Sequence, residues 1–235
     1  MSRLNGLLRG SRESFPEVVK GWLRSFPSRI AIQNWLRKSR WQDAAHDEIY
    51  DQEYFQFVDQ TTEQSADVIA HSIVQSFHPS SVVDVGCGTG VLLDRLQTYG
   101  VKVKGLEYAQ AALDFCQRRH LEVIKFDLET DRLPAIGKAD LVVSMEVGHQ
   151  LQEASADRYV DLLCQIADLV IFSSETPGTK DRYPRNAKPH HYWIEKFGQR
   201  DYRFDDALSL QWRKEWQAKD TAPWFYRNLM LFRRL

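Results

Sequence analysis

Residues 82–90 read Val-Val-Asp-Val-Gly-Cys-Gly-Thr-Gly, and this stretch decides the fold. Its β-branched start predicts a buried parallel strand, and its alternating glycines predict a tight turn whose backbone can approach a ligand closely. Residues 91–99 then predict a helix with leucines on its packed side. A strand, a glycine-rich turn and a helix N-terminus place backbone N–H groups at the carboxyl edge of a sheet, where open α/β folds bind nucleotides.

The spacing of the glycines distinguishes between cofactors. A dinucleotide fingerprint reads G-x-G-x-x-G, and Val91 stands where its third glycine would be, so NAD and FAD are disfavoured. The remaining pattern, an acid two residues before G-x-G-x-G, resembles the first motif of the class I S-adenosylmethionine (SAM) methyltransferases. That resemblance implies that Asp84 and the turn from Gly86 to Gly90 flank the methionine half of SAM. An ordinary glycine-rich turn is the alternative.

Further acidic residues follow at matching intervals. Residues 101–106 predict a second strand that ends on Glu107, whose carboxylate can accept both hydroxyls of a ribose. A helix over 109–119 and a third strand over 121–126 lead to Asp127, where the family usually places an acid that contacts the adenine amine. The alternative for Glu107 is a solvated side chain in a turn, and the alternative for Asp127 is an ordinary polar loop. The residues assigned to the cofactor are Asp84, Gly86, Cys87, Gly88, Gly90, Glu107, Tyr108, Asp127, Leu128 and Glu146.

The fourth predicted strand, residues 139–147, is a continuous apolar run that suits a central parallel position. The segment from Glu146 to Leu151 resembles Glu-Val-x-Glu-His-Leu in small-molecule methyltransferases. Gln150 holds the histidine position of that family, and His149 holds the neighbouring one. A neutral imidazole there can remove a hydroxyl proton near neutral pH. Alternatively, and with equal weight, His149 caps the next helix or contacts the cofactor.

Residues 182–193 predict an irregular loop after a fifth strand over 169–172. Adjacent histidines beside Tyr-Trp indicate an acceptor pocket, because loops at this edge of a sheet carry function. His190 and His191 are second candidates for the base, and Tyr192 and Trp193 are candidates for acceptor binding. No metal site is expected, because neighbouring side chains rarely converge on one ion.

The tail has a resemblance of its own. Asn186, Pro189, Tyr192-Trp193 and residues 224–232 look like bacterial methyltransferases associated with sugar and polysaccharide modification, although Pro184 replaces a histidine of that group. The last two strands are expected over 202–204 and 225–232, paired antiparallel, with a helix over 205–219 between them. Trp212 and Trp216 on that helix are expected to pack.

The N-terminal region has a distinct composition. Residues 1–40 hold nine Lys or Arg against two Glu, with aromatic residues at helical spacing. Such a helix either packs its apolar stripe on the domain, or binds an anionic membrane surface or an acidic protein partner. Residues 50–55 resemble the lid of small-molecule methyltransferases, and Tyr50 and Tyr54 would share one helix face for acceptor binding. Core packing is the alternative, and residues 64–77 predict the next helix.

The bulk composition limits the remaining alternatives. With 235 residues, 43% hydrophobic, the chain can bury one large core with an extension. The net charge of −1 gives no reason to expect nucleic acid, and three scattered cysteines suit a reducing cytoplasm. The sequence contains no run of about 18 apolar residues, so no membrane span is predicted. A cytoplasmic or membrane-peripheral location is expected.

These observations lead to one interpretation. We expect a Rossmann-like, mostly parallel seven-stranded α/β sheet with an antiparallel last strand over residues 76–235, and a helical extension and lid over 1–75. By resemblance, the function is SAM-dependent methyl transfer to a small molecule, at a hydroxyl of a sugar or related metabolite. The alternatives are a lipid-like, quinone-like or macromolecular acceptor, or a non-catalytic SAM-binding partner protein.

Overall fold

A computed structural model describes residues 50–132, 135–178 and 185–235 of the chain. The predicted basic extension over residues 1–40 lies outside these residues. In the described part of the chain, no helix is both long enough and apolar enough to cross a membrane.

Seven strands form one sheet in the order β3-β2-β1-β4-β5-β7-β6. Strand β7 is antiparallel to β5 and β6, whereas the pairs from β3 to β5 are all parallel. This confirms the predicted seven-stranded sheet and its antiparallel last strand. The strands are β1 (Ser81–Val85), β2 (Lys102–Glu107), β3 (Val123–Lys125), β4 (Leu141–Met145), β5 (Leu169–Ser173), β6 (Tyr202–Phe204) and β7 (Met230–Arg234).

Helices cover both faces of the sheet, because alternate residues of each central strand point to opposite sides. Val83 packs in one apolar cluster with Tyr159 and Trp193, and Val82 packs in the other with Ile73. The helices are α1 (Gln52–Phe77), α2 (Val91–Thr98), α3 (Gln110–Arg118), α4 (Ala156–Ile166), α5 (His190–Gly198), α6 (Asp206–Ala218) and α7 (Pro223–Arg227).

Three predicted boundaries were wrong. Helix α1 begins at Gln52 rather than at residue 64, because the Asp51 side chain caps it by accepting from the Tyr54 N–H at 2.9 Å. Residues 190–193 open helix α5 instead of lying in an irregular loop. Residues 225–227 belong to α7 rather than to the last strand, because Pro223 favours the first turn of a helix.

The tryptophans of α6 were predicted correctly. Trp212 and Trp216 are buried in the cluster under β1, β4 and β7, with ring centroids 5.3 Å apart. The Trp216 indole N–H donates to Ser72 Oγ of α1 at 2.9 Å. Helices α1 and α6 are therefore joined on the same face of the sheet.

Candidate functional site

The glycine turn after β1 is built for close backbone approach. Gly86 and Gly90 have φ values of 75° and 77°, which favour glycine. A Cβ on Gly86 would lie 2.4 Å from Val147 Cγ2, and one on Gly90 would lie 2.4 Å from Leu121 Cδ1. The turn therefore requires glycine for both its conformation and its packing.

Asp84 lies on β1 immediately before this turn and is buried. Burial, reinforced by the negative charge of Glu107, raises the pKa of Asp84 to about 7. No hydrogen bond or ion pair to its carboxylate is present within residues 50–132, 135–178 and 185–235. A cationic ligand beside this carboxylate would favour its ionised form.

Glu107 ends β2 at the same edge of the sheet. Its Oε2 accepts from the Gly88 N–H, and its Oε1 accepts from the N–H groups of Tyr108 and Ala109, each at 2.8 Å. Burial raises the pKa of Glu107, while these three hydrogen bonds oppose that effect. The carboxylate therefore links the glycine turn to the start of the next helix.

The thiol of Cys87 lies inside the glycine turn. No described cysteine forms a disulfide, and Cys116 donates through its Sγ to the Gly88 carbonyl at 3.2 Å. A hydrogen bond with Cys116, together with burial, raises the pKa of Cys87 well above its usual range. The raised pKa favours the neutral thiol of Cys87, the less nucleophilic form, and contact of Cys87 with a cofactor stays a prediction.

Asp127 organises its own loop. Its Oδ1 accepts from the Glu129 N–H and its Oδ2 accepts from the Thr130 hydroxyl, both at 2.8 Å. Leu128 is buried in the cluster that contains α4 and α5. These hydrogen bonds are those expected if Asp127 belongs to an ordinary polar loop. Contact of Asp127 and Leu128 with a cofactor stays a prediction.

Glu146 follows β4 and ties that strand to β5. It has a φ of 61°, and its N–H donates to the Ser173 carbonyl at 3.0 Å. The Ser173 hydroxyl in turn donates to Glu146 Oε1 at 2.7 Å. The ends of β4 and β5 are thereby held together beside the glycine turn.

His149 is buried, with 2% of its surface exposed, in the turn after β4. The Glu175 N–H donates to its Nδ1 at 3.3 Å, and its carbonyl accepts from the Asn186 N–H at 3.0 Å. With Nδ1 acting as an acceptor, a neutral ring carries its proton on Nε2. In this tautomer the Nε2–H of His149 is a hydrogen-bond donor.

Four buried polar atoms around this turn have no hydrogen-bond partner among the described residues. They are Ser174 Oγ, both side-chain polar atoms of Asn186, and Trp193 Nε1. A Cβ on Gly148 would lie 3.1 Å from Ser174 Oγ and 2.9 Å from Trp193 Cζ2, on the ring edge that carries Nε1. Glu175 Oε2 is also buried without a partner. Each such atom calls for a water or a ligand, because burial without a partner costs free energy.

This polar cluster, defined here as Ser174, Glu175, Asn186 and Trp193, was only partly found from the sequence. Trp193 was predicted to bind acceptor, and this stays a prediction; its ring is packed fully inside the core, 5.0 Å from the ring of Phe172. Its indole N–H alone remains available. Ser174 and Glu175 were missed as site residues, and the polar strand exit at 173–179 was their only signal.

Three other residues at the start of helix α5 were also predicted site residues, and one of them, Tyr192, contacts the cluster through its ring, whose centroid lies 5.0 Å from that of Trp193. His190 Nε2 lies 3.4 Å from Asn228 Oδ1, and burial, with the nearby Arg213 charge, lowers the pKa of His190. His191 is exposed. The Tyr192 ring lies under the ammonium groups of Lys188 and Lys196, at 5.3 and 5.0 Å from the ring centroid. Acceptor binding by Tyr192 stays a prediction.

Tyr50 and Tyr54 lie at the cofactor end of the sheet. Their rings are 5.1 Å apart, and they pack with Phe55 against Ala109 and Ala112, just after Glu107. This places them beside β2, whereas the polar cluster follows β4 and β5. Among the described residues, no group of three or more His, Cys, Asp or Glu side chains could hold a metal ion.

Comparisons with known proteins place this geometry in context. A family model described as "Methionine biosynthesis protein MetW" matches residues 66–178, just under half of the chain. No curated protein sequence matches the chain significantly.

Solved structures resemble the chain over a larger span. Magnesium protoporphyrin IX methyltransferase (ChlM) from Synechocystis PCC 6803, with bound SAH, aligns with a TM-score of 0.56 and 17% identity, over 76% of this chain and 88% of that one. CalS10, an amino pentose methyltransferase from Micromonospora echinaspora with bound SAM, aligns with a TM-score of 0.54 and 17% sequence identity. The alignment covers 74% of this chain and 91% of that one. A TehB-like SAM-dependent methyltransferase from Corynebacterium glutamicum aligns with a TM-score of 0.54 and 16% sequence identity. The alignment covers 73% of this chain and 88% of that one.

The fold is that of the class I methyltransferases. The Rossmann-like architecture predicted from the sequence is thereby confirmed. At this level of identity the likeness concerns the fold, so the cofactor and the acceptor are argued below from the chain's own residues.

Proposed function

We propose that this chain binds SAM and transfers its methyl group to a hydroxyl oxygen of a small neutral molecule, such as a sugar or related metabolite. The observation that carries the proposal is the pair of buried carboxylates, Asp84 and Glu107, on either side of the glycine turn. Neither carboxylate forms an ion pair with a cation in the described part of the chain. A cationic ligand with ribose hydroxyls suits this pair.

The residues present fit SAM. Asp84 would lie near the positively charged methionine half, and Glu107 would share its carboxylate oxygens between backbone N–H groups and ribose hydroxyls. When bound, SAM supplies an activated methyl group, because its sulfonium is a good leaving group. The protein's contribution is then to align the acceptor oxygen and to exclude water.

The polar cluster is the proposed acceptor site. Within the described part of the chain, the buried polar side-chain atoms of Asn186, Ser174 and Trp193 have no partners, and they offer both donors and acceptors, which matches hydroxyl groups. A quinone-like or lipid acceptor would leave several of these atoms unsatisfied. The neutral, hydroxyl-bearing acceptor is therefore favoured over the apolar alternatives.

His149 is the first candidate for assisting the acceptor hydroxyl. Its Nε2–H can orient the acceptor oxygen, and removal of the hydroxyl proton by Nε2 would require loss of the hydrogen bond from the Glu175 N–H. His190 is the second candidate, since its lowered pKa keeps it neutral at physiological pH. His191 is third, because it is exposed.

Calorimetric titration with SAM and with SAH tests the cofactor. We expect binding to the wild type, loss of binding in Glu107→Ala, and unchanged binding in Glu122→Ala, whose exposed side chain pairs with Lys104 instead. A screen of sugars and sugar conjugates with methyl-labelled SAM then tests the acceptor. Failure of the wild type to bind either ligand would contradict the proposal, whereas SAM binding with no transfer to any hydroxyl compound would favour a non-catalytic partner protein.

A further inference from the structure

The outer side of the glycine turn is held by an ion pair between two helices. Arg119 directly follows α3, and its Nη1 donates to the Thr89 carbonyl of the turn at 3.3 Å. Its Nη2 lies 2.8 Å from Asp59 Oδ1 and 3.0 Å from Oδ2, and Asp59 belongs to the first half of α1. One guanidinium thus joins the turn, α3 and α1.

This ion pair is shielded from solvent. The Arg119 and Asp59 side chains are only 18% and 17% exposed. Water therefore weakens their attraction less than that of an exposed surface pair, and loss of one partner would leave the other charge poorly solvated. By contrast, the ion pairs of Arg95 in α2 with Glu63 and Asp67 of α1 leave these two acidic side chains 56% and 62% exposed.

Two further contacts support the turn from the same side. Cys116 of α3 donates through its Sγ to the Gly88 carbonyl at 3.2 Å. Phe55 of α1 is buried, and its Cε1 lies 4.0 Å from the position of a Cβ on Gly88. Helices α1 and α3, with Arg119 that follows α3, therefore contact both Gly88 and Thr89.

We propose that Arg119 and Asp59 are positioning residues, which fix the glycine turn in its ligand-binding conformation and couple it to the docking of the first half of α1. The proposal rests on the proposed function, because the ligand is SAM. Neither residue needs to touch SAM. Fixing the Thr89 carbonyl restricts a turn that contains three glycines with positive φ and would otherwise sample many conformations. By reciprocity, SAM binding stabilises the docked state of α1.

The test compares Asp59→Asn and Arg119→Met with the matched control Asp67→Asn on the same helix. SAM and SAH dissociation constants are measured by calorimetry well below the melting temperature of each variant. We expect both ligands to bind about tenfold more weakly to Asp59→Asn and to Arg119→Met, which is a typical coupling between sites. The dissociation constants of Asp67→Asn should equal those of the wild type. Unchanged affinities in folded Asp59→Asn and Arg119→Met would overturn the proposal.

Hydrogen exchange without ligand separates this proposal from the proposed function. We expect faster exchange at residues 52–60 and 86–90 in Asp59→Asn and Arg119→Met, and wild-type exchange there in Asp67→Asn. If the wild type fails to bind SAM, the proposed function fails, while the exchange data still report whether the ion pair holds the turn. Wild-type exchange at residues 86–90 in both variants would overturn the positioning role.

Discussion

Asp84 of β1 and Glu107 of β2 belong to neighbouring parallel strands, and both carboxyl groups are buried. Burial, reinforced by the negative charge of Glu107, raises the pKa of Asp84 to about 7. A cation beside Asp84 would favour its ionised form, so we expect the binding of a positively charged ligand here to depend on pH.

We expect SAM affinity to rise as the pH increases from 6 to 8. Asp84, with a pKa of about 7, is mostly protonated below that pH and mostly ionised above it. A cationic ligand favours the ionised form, so binding releases a proton at low pH and tightens by at most about tenfold per pH unit. Calorimetry at three pH values measures this, and Asp84→Asn should remove the dependence. A pH-independent affinity in the wild type would contradict it.

The same carboxyl group should make the stability of the protein depend on pH. The folded pKa of about 7 lies above the value of 3.8 that is usual for an exposed aspartate, so between these values the folded state binds more protons than the unfolded state. The free energy of unfolding therefore falls as the pH rises from about 4 to 7. Urea unfolding of Asp84→Asn should show increasing stability relative to wild type between pH 5 and 8. The exposed Glu122→Gln should show no such trend.

Two buried serines provide a matched comparison. Ser144 Oγ donates to the Val85 carbonyl at 2.6 Å, whereas Ser174 Oγ has no partner among the described residues. We expect Ser144→Ala to lower the free energy of unfolding by about 1–3 kcal/mol and Ser174→Ala to lower it by less than about 1 kcal/mol. Methyl transfer, once an acceptor is found, should fall in Ser174→Ala. Equal destabilisation by the two changes would assign Ser174 a structural role.

Substitution of Gly86 tests the packing of the turn. Its φ of 75° costs an alanine roughly 1–2 kcal/mol, and the new Cβ would lie 2.4 Å from Val147 Cγ2. Gly137 has a φ of 79° but open space around it, so Gly137→Ala isolates the conformational cost. We expect Gly86→Ala to be clearly the more destabilising in thermal unfolding and to lose SAM binding. Similar effects of both changes would mean that Val147 moves aside.

The proton of His149 can be located directly. Since Nδ1 accepts from the Glu175 N–H, nitrogen NMR of labelled protein should show a neutral ring protonated at Nε2 near pH 7.5. His149→Ala should slow methyl transfer and leave SAM affinity unchanged. A ring protonated at Nδ1 would instead leave Nε2 free to act as the base.

The geometry of the edge that carries the glycine turn was predictable from the sequence because its signals are local. A strand, the glycine turn and Glu107 follow one another with regular spacing, and the strand order brings their ends together. The start of α1 was missed because residues 52–63 are too rich in acidic and polar side chains to show a clear apolar stripe. The aromatic run at 224–226 resembled a strand, and Pro223 made it a helix instead.

Of the polar cluster, only Trp193 was named as a site residue from the sequence, because the grouping of its members depends on tertiary packing. Ser174 and Asn186 come from connections of different elements, and Trp193 comes from the buried face of a helix. They meet only because Gly148 lets Ser174 and the indole approach the turn after β4, and because the Asn186 N–H pairs with the His149 carbonyl. No spacing along the chain encodes such an arrangement.

The position of β7 between β5 and β6 constrains the order in which the sheet can form during synthesis. Strand β7 is made after β6 yet lies between it and β5, so β6 has no place in the sheet until residues 230–234 have left the ribosome. Until then β5 is an open edge, ready to pair with a wrong strand. Pairing along both edges of β7 therefore completes the sheet only after the segment that leads into it, including Asn228 beside His190, has been made.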